Sequence, residues 1–245
     1  MDETTVLERK YRAIEDFSRQ LLTSEVRDAI AKIVLFGSVR KKEGVRADSD
    51  VDLLVLAAHS LDEVTEACLD ISLETNIDLG ESVEPLVYCV DTLRFPGSYF
   101  VYHNLKTGEE IYSMDEEKLR QEESQGYLEL AREYQRSAQN SLNGSDYRLA
   151  VDGAYNAAEL CAKGLLILKM EDLSTSHGGI VGKLGELYVR TGILPKEMGR
   201  QLNKGLWLRA QARYDYHARI GENEAWTMLD LAAELIAALS KELEA

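Results

Sequence analysis

The stretch VLFGSVRKKEGVRADSDVDLLVL, residues 34–56, decides the fold of the N-terminal half. It opens inside the apolar run Ile33–Phe36, which stops at Gly37-Ser38 and is typical of a buried strand that ends in a tight turn. A polar loop follows, and a second buried strand is predicted from Val51 to Ala57.

Two aspartates, Asp50 and Asp52, begin the second strand. Side chains at positions i and i+2 of a strand point to the same face, so both carboxylates are expected on one side of the sheet. Paired carboxylates repel unless a cation lies between them, and Mg²⁺ favours hard oxygen ligands and phosphates. Gly37 lets backbone amides approach phosphate oxygens, and Ser38 adds a hydroxyl donor. The pattern therefore predicts a magnesium site for phosphoryl chemistry.

A third carboxylate is expected from the next predicted strand, Val83–Val90, where Glu84 is the acidic residue. As a base, Glu84 could also activate the hydroxyl of an acceptor. In the polar loop, the basic residues Arg40 and Lys42 are predicted to bind the nucleotide phosphates. The predicted catalytic and metal-binding set is therefore Asp50, Asp52 and Glu84.

These residues resemble the motif of the minimal nucleotidyltransferases of the polymerase β-like superfamily, which also includes the aminoglycoside nucleotidyltransferases. The resemblance covers roughly residues 20–113. It implies a small mixed sheet flanked by helices, a nucleoside triphosphate donor and two Mg²⁺ ions. By matching position, Gly37 and Ser38 would hold the β- and γ-phosphates, and the two aspartates would bind metal. Glu84 stands where the family commonly has aspartate.

The chain changes character near residue 114, after which no strand pattern follows. We predict an α/β (α+β) domain over residues 1–114 and an all-α helical bundle over residues 115–245. Helices are predicted at residues 4–30, 61–73, 99–105, 118–142, 145–169, 178–191, 195–220 and 222–243, with a last short strand at 110–113. Trp207 and Trp226 are expected in the core of the bundle.

The helical half resembles a HEPN domain, the frequent partner of a minimal nucleotidyltransferase, through YNAAE at residues 155–159, SHGG at 176–179 and LRAQARYDYH at 208–217. Many HEPN domains are ribonucleases with an arginine, four to six residues and a histidine. This chain departs from that pattern. If the predicted helix is unbroken, however, Arg209, Arg213 and His217 share one face at i, i+4 and i+8, where they could bind a phosphate.

Composition narrows the classes of function. The net charge of -15 disfavours non-specific binding along nucleic acid. No apolar run approaches the roughly 18 residues of a membrane helix, and no secretory signal is expected. The three scattered cysteines favour reduced thiols, so we expect a cytoplasmic protein.

The sequence leaves three functions open. The first is an adenylyltransferase-type enzyme that moves a nucleoside monophosphate, most simply AMP from ATP, onto an unknown hydroxyl of a small molecule or a protein tyrosine. The second is a toxin–antitoxin-like HEPN fusion with ribonuclease or RNA-binding activity. The third is a nucleotide-binding module without enzymatic activity. A homodimer is expected in each case, because HEPN domains often dimerise through helix faces.

Overall fold

The computed structural model describes residues 3–170 and 172–245, and it divides into two compact units between Leu119 and Arg120. The first unit is a small mixed sheet with helices, and the second is helical, which confirms the predicted fold class. Across the described ranges, no helix combines the length and the apolar character that crossing a membrane requires.

The described residues of the first unit form four strands and four α-helices. Strands β1 and β2 pair antiparallel, β2 and β3 pair parallel, and β4 pairs antiparallel with β1, giving the order β3-β2-β1-β4. The elements are α1 (Glu3–Thr23), β1 (Ile30–Phe36), α2 (Gly37–Lys41), β2 (Val51–Ala57), α3 (Leu61–Leu79), β3 (Val83–Cys89), α4 (Tyr99–Thr107) and β4 (Glu109–Ser113).

The two faces of this sheet are covered differently. Leu53 and Val55 of β2 point into the main core of the unit, together with apolar residues of α1 and α3. Leu54 and Leu56 point to the other face, where Leu105 of α4 belongs to the much smaller cluster around Leu54. Because side chains alternate along a strand, Asp52 lies on this second, thinly covered face.

Several predicted boundaries in the first unit are wrong. The first helix ends at Thr23 rather than at residue 30, and a 3₁₀ turn over Arg27–Ala29 leads into β1, which already begins at Ile30. Residues 39–48 were expected to form a loop, but the first of them belong to the short helix α2, which ends at Lys41. Helix α3 continues to Leu79, so the predicted end at residue 73 was too early.

In the described part of the second unit, four α-helices pack around a central fifth helix, α6. Small residues on α6 allow its neighbours to approach closely: a Cβ added at Gly164 would lie 2.7 Å from the Leu239 side chain of α9. The helices are α5 (Glu116–Asn143), α6 (Tyr147–Ile167), α7 (His177–Leu184, followed by a π-helical turn over Gly185–Val189), α8 (Lys196–Tyr214) and α9 (Glu222–Leu243).

Two predictions for the helical half are corrected. Helix α8 ends at Tyr214, because Asp215 adopts an extended conformation, so the predicted continuation to residue 220 is wrong. Trp207 and Trp226 are not core residues, since they are 62% and 45% exposed.

Candidate active site

The strand register places Asp52 beside Glu84. They are directly paired residues on the parallel strands β2 and β3, so their side chains lie on the same face of the sheet. Asp50 lies just before β2 and is half-buried like Asp52, whereas Glu84 is exposed. Two of the three predicted carboxylates are therefore neighbours across the sheet, and the third enters from the loop.

Gly37 follows the end of β1 and lies beside the carboxylate of Asp52. Phe36, the last residue of β1, pairs with Asp52, and the chain then turns at Gly37 with a φ of +73°. A Cβ added at Gly37 would lie 1.9 Å from Oδ2 of Asp52. Glycine is therefore required twice, by its backbone angle and by the carboxylate directly above it. Ser38 follows as a partly exposed residue of α2.

The surroundings of Asp52 disfavour a negative charge on its side chain. Burial raises the pKa of Asp52, and the neighbouring carboxylates Glu84 and Asp50 raise it further. Both charged groups that act on Asp52 are thus negative, and its ionised form is disfavoured in the folded protein.

These residues fit a divalent cation in donor type and in charge. A cation near Asp52 would reverse the repulsion that raises its pKa, and carboxylate oxygens are the ligands that Mg²⁺ prefers. Asp50, Asp52 and Glu84 would hold it. As the side chains stand, no three His, Cys, Asp or Glu residues within 3–170 and 172–245 are grouped closely enough to form a metal site.

A buried ion pair, which sequence reasoning missed, supports the loop before Asp50. Lys10 of α1 binds Glu81, and the side chains of both residues are only 2% exposed. The Lys10 ammonium also donates hydrogen bonds to the carbonyls of Ala47, at 3.2 Å, and Ser49. A lysine at the core-facing position four residues after Val6 was the available signal.

The basic residues of α2 and its C-cap lie in two different places. Lys42 lies over the ring of Tyr11, with its Nζ 5.5 Å from the ring centroid. Arg40 and Lys41 instead line a groove of about 400 Å³ between α2 and α4. We call it the aromatic groove; its other residues include Gly37 on the α2 side and Tyr99, Phe100 and His103 on the α4 side. The predicted phosphate contact of Lys42 stays a prediction.

In the second unit, Arg209 and Arg213 share one carboxylate. Their Nε atoms lie 3.5 and 2.7 Å from Oδ1 of Asp152 on α6, and Arg209 is buried. His217 lies beyond the end of α8 and stacks loosely on Tyr216, with ring centroids 4.1 Å apart. The helical face that would have united the three predicted residues is therefore interrupted before His217.

Arg148 of α6 fixes the segment that carries His217. Its guanidinium donates hydrogen bonds to four carbonyls at and beyond the end of α8: those of Gln211 (3.2 Å), Ala212 (2.9 Å), Asp215 (2.9 Å) and Ala218. One side chain thus replaces the donors that the helix end lacks.

We expect Arg148→Met to loosen this segment, because it leaves several carbonyls without donors. The loss of stability should be about 1–3 kcal/mol, and amide hydrogen exchange over residues 211–218 should become faster. Arg136→Met, which changes an exposed arginine on α5, is the control and should change neither quantity. Unchanged exchange in Arg148→Met would contradict the role given to this guanidinium.

Comparison with known proteins gives a family to each half. A family model described as "Polymerase beta, Nucleotidyltransferase" matches residues 20–117, and a HEPN domain model matches residues 124–243. A solved structure, that of TT1696 from Thermus thermophilus, is 28% identical; the match covers 48% of this chain and 96% of that one, with a TM-score of 0.41. No curated protein matches. The chain therefore joins a nucleotidyltransferase domain of the polymerase β family to a HEPN domain.

Proposed function

We propose that the N-terminal domain transfers a nucleoside monophosphate, with ATP as donor and Mg²⁺ as cofactor, onto a hydroxyl group. The observation that carries this proposal is the meeting of Gly37, Asp52 and Glu84 at the ends of three neighbouring strands. A phosphate-accommodating turn and a carboxylate cluster in contact are the two parts that nucleotidyl transfer needs.

The residues have separate roles in the transfer. Asp50 and Asp52 would hold Mg²⁺, which supplies positive charge to the triphosphate and to the leaving pyrophosphate. Glu84 would complete the carboxylate set and accept the proton of the acceptor hydroxyl. The acceptor oxygen then forms a bond to the α-phosphorus, the bond from that phosphorus to the bridging oxygen of the β-phosphate breaks, and pyrophosphate leaves.

The contacts of Gly37 support a role in positioning the phosphates. With hydrogen as its side chain, Gly37 leaves its backbone open beside the Asp52 carboxylate, and Ser38 offers a hydroxyl next to it. Arg40 is exposed on the same short helix and can add positive charge. The triphosphate would therefore run from the carboxylates toward α2.

The acceptor would be a hydroxyl of a small molecule or of a protein tyrosine. In the HEPN domain, Tyr214 and Tyr216 are 73% and 86% exposed, so both phenols are accessible to an enzyme. Modification of a HEPN tyrosine would make the fusion resemble a toxin–antitoxin pair, in which the nucleotidyltransferase domain controls the HEPN domain.

Further features belong to the same proposal. The three carboxylates would hold two Mg²⁺ ions, which would supply positive charge to the triphosphate. Cys68, Cys89 and Cys161 are all free thiols, which suits a cytoplasmic protein.

A homodimer would form through the HEPN domain, and sedimentation velocity would test it.

No contact in the described residues favours ribonuclease chemistry over this proposal. Such chemistry would use an arginine close to His217, but Arg209 and Arg213 are engaged by Asp152, and Arg209 is buried. The overall charge of -15 also disfavours RNA.

The test measures pyrophosphate release from each of the four nucleoside triphosphates with Mg²⁺. The parent protein should release pyrophosphate from ATP, and Asp50→Ala/Asp52→Ala should not. Mass spectrometry of the protein after the reaction would show whether a tyrosine gains one nucleoside monophosphate. Equal release by the parent and the double variant would refute the carboxylate assignment, and ATP binding without release would indicate a non-enzymatic binding module.

Gly37→Ala separates the backbone role of Gly37 from its contact with Asp52. Alanine at a positive φ costs about 1–2 kcal/mol, and the new methyl group also displaces the Asp52 carboxylate. We expect pyrophosphate release to fall about 100-fold, since small displacements at a reacting centre have effects of that order.

Gly44→Ala is the matched control for Gly37→Ala. Gly44 has a similar φ of +65°, and nothing lies within 4 Å of an added Cβ. Chemical denaturation should therefore show a similar loss of stability in both variants, whereas only Gly37→Ala should lose activity. Equal activity in the two variants would show that the contact between Gly37 and Asp52 has no role in catalysis.

A further inference from the structure

The turn before Asp50 is held by polar groups rather than by apolar packing. Val45 is buried, but residues 46–48 are exposed, and Ser49 and Asp50 are half-buried. The Arg46 amide donates a hydrogen bond to Oγ of Ser49 at 3.0 Å, and the Ser49 amide donates one to the Arg46 carbonyl at 3.1 Å. These local bonds fix the shape of the turn, but they do not fix its place on the domain.

Lys10 connects this turn to the core of the domain. It lies one helical turn before Ile14, a buried residue of the main core, on the core-facing side of α1. Its ammonium donates hydrogen bonds to the carbonyls of Ala47, at 3.2 Å, and of Ser49, the residue directly before Asp50. Because α1 packs against the sheet, the backbone that leads into Asp50 is tied to a rigid element.

Glu81 ties the same ammonium to the strand that carries Glu84. Glu81 binds Lys10, and the side chains of both residues are only 2% exposed. Strand β3 begins two residues after Glu81. The amide of Val51 also donates a hydrogen bond to the carbonyl of Ser82 at 2.9 Å. The segments that precede two of the candidate metal ligands therefore meet at one buried ion pair.

The carboxylates themselves give these segments a reason to separate. Asp50 and Glu84 both act on Asp52 as negative charges, and like charges repel. Asp50 follows a half-buried turn, so this repulsion acts on the least packed part of the site. A metal site binds its ion tightly when groups behind the ligands hold them in place before the ion arrives.

We propose that the Lys10–Glu81 ion pair is a positioning element of the metal site, which holds the segments of Asp50 and Glu84 together and thereby raises the affinity for Mg²⁺. This inference rests on the proposed function, because it concerns the cation of the same carboxylate cluster. Lys10 acts through the backbone of Ser49, and Glu81 acts through the start of β3.

The test uses Lys10→Met/Glu81→Leu in the full-length protein, a double variant that removes both buried charges and leaves the net charge unchanged. Mg²⁺ affinity is measured without nucleotide, from the rise of the unfolding temperature with Mg²⁺ concentration. The double variant should bind Mg²⁺ about 10- to 100-fold more weakly than the parent, the range that loss of a group behind the metal ligands gives. Amide hydrogen exchange at residues 47–51 should also become faster.

Arg9→Met is the matched control, since Arg9 binds the same carboxylate at 2.5 Å but has a side chain that is 41% exposed. It should bind Mg²⁺ at least as tightly as the parent does. A folded double variant with the Mg²⁺ affinity of the parent would overturn the positioning role and leave Lys10 and Glu81 as structural residues.

Glu81→Gln is a milder variant that decides the question if the double variant does not fold. Glutamine keeps the shape of the side chain and can still accept a hydrogen bond from Lys10, but it weakens the tie to β3. Its Mg²⁺ affinity should fall by a smaller factor than that of the double variant. An unchanged affinity in folded Glu81→Gln would likewise overturn the positioning role.

The same measurements separate this inference from the proposed function. If the variants bind Mg²⁺ more weakly than the parent, but the parent releases no pyrophosphate from any nucleoside triphosphate, the proposed transfer fails while the positioning role stands. If the parent releases pyrophosphate and the folded variants match its Mg²⁺ affinity, only the positioning role fails. If Mg²⁺ does not stabilise the parent at all, both fail together.

Discussion

Asp52→Asn is expected to abolish nucleotidyl transfer without destabilising the fold. The substitution removes a metal-binding charge from the cluster, and metal ions supply several kcal/mol of charge stabilisation to such transition states. The rate of pyrophosphate release should therefore fall by at least about 100- to 1,000-fold, since each 1.36 kcal/mol corresponds to a factor of ten.

The difference in stability between Asp52→Asn and the parent should depend on pH in a defined direction. The pKa of Asp52 is raised in the folded protein by burial, Glu84 and Asp50, so the folded state binds a proton more tightly than the unfolded state. Stability contributed by the protonated form is present below the ordinary pKa of 3.8 and is lost as the pH rises through the raised value. Without metal at neutral pH, Asp52→Asn should therefore be as stable as the parent or more stable.

Thermal unfolding in the presence of a chelator measures this difference directly. The advantage of Asp52→Asn over the parent should grow from acid to neutral pH, and Mg²⁺ should stabilise the parent more than the variant. Asp48→Asn, at a 79% exposed position in the same loop, is the control and should match the parent in activity and stability. A variant that is less stable than the parent at neutral pH would show that Asp52 is a structural residue.

Lys10→Met should cause a large loss of stability in the first unit. Removal of one partner from a buried ion pair leaves the other charge uncompensated and costs about 3–5 kcal/mol. Glu81 would keep its ion pair with Arg9, whose side chain is 41% exposed, and the carbonyls of Ala47 and Ser49 would lose a donor. Urea denaturation at neutral pH measures the free energy of unfolding.

Two further variants isolate the cause of that loss. Arg9→Met removes the exposed partner of the same carboxylate and should cost no more than about 1 kcal/mol. Lys10→Met/Glu81→Leu removes both buried charges and should recover most of the lost stability, because an apolar pair of similar size is often no less stable than a buried ion pair. If Lys10→Met and Arg9→Met cost the same, Lys10 does not anchor the loop before Asp50.

The sequence predicted those elements whose patterns are strong along their whole length. Strand β2 is a continuous apolar run after Asp52, and α9 carries an unbroken apolar stripe, so the predicted bounds of both agree with the structure. The boundary between α1 and β1 was misplaced because the apolar residues Val26, Ala29 and Ile30 are spaced three and four apart, which continues the helical pattern of α1. Element ends depend on local turns that hydrophobic periodicity does not encode.

Side-chain partnerships were harder to predict than elements. Lys10 and Glu81 are far apart in sequence and belong to residue types that are usually exposed, so the core-facing position of Lys10 does not by itself identify Glu81 as its partner. The early end of α8 coincides with the extended backbone of Asp215 and with the hydrogen bonds from Arg148, and the latter are tertiary contacts that helical periodicity does not encode. The neighbouring positions of Asp52 and Glu84, in contrast, follow once β2 and β3 are parallel neighbours.

The most direct measurement of the central claim uses ATP labelled either on the α-phosphate or on the γ-phosphate, with Mg²⁺ and the purified chain. Nucleotidyl transfer predicts that the α-label moves to an acceptor or appears in AMP when water accepts it, while the γ-label appears in pyrophosphate. Both products should be absent with Asp52→Asn. Release of the γ-label as orthophosphate, with the α-label remaining in ADP, would contradict nucleotidyl transfer at the Gly37–Asp52–Glu84 site.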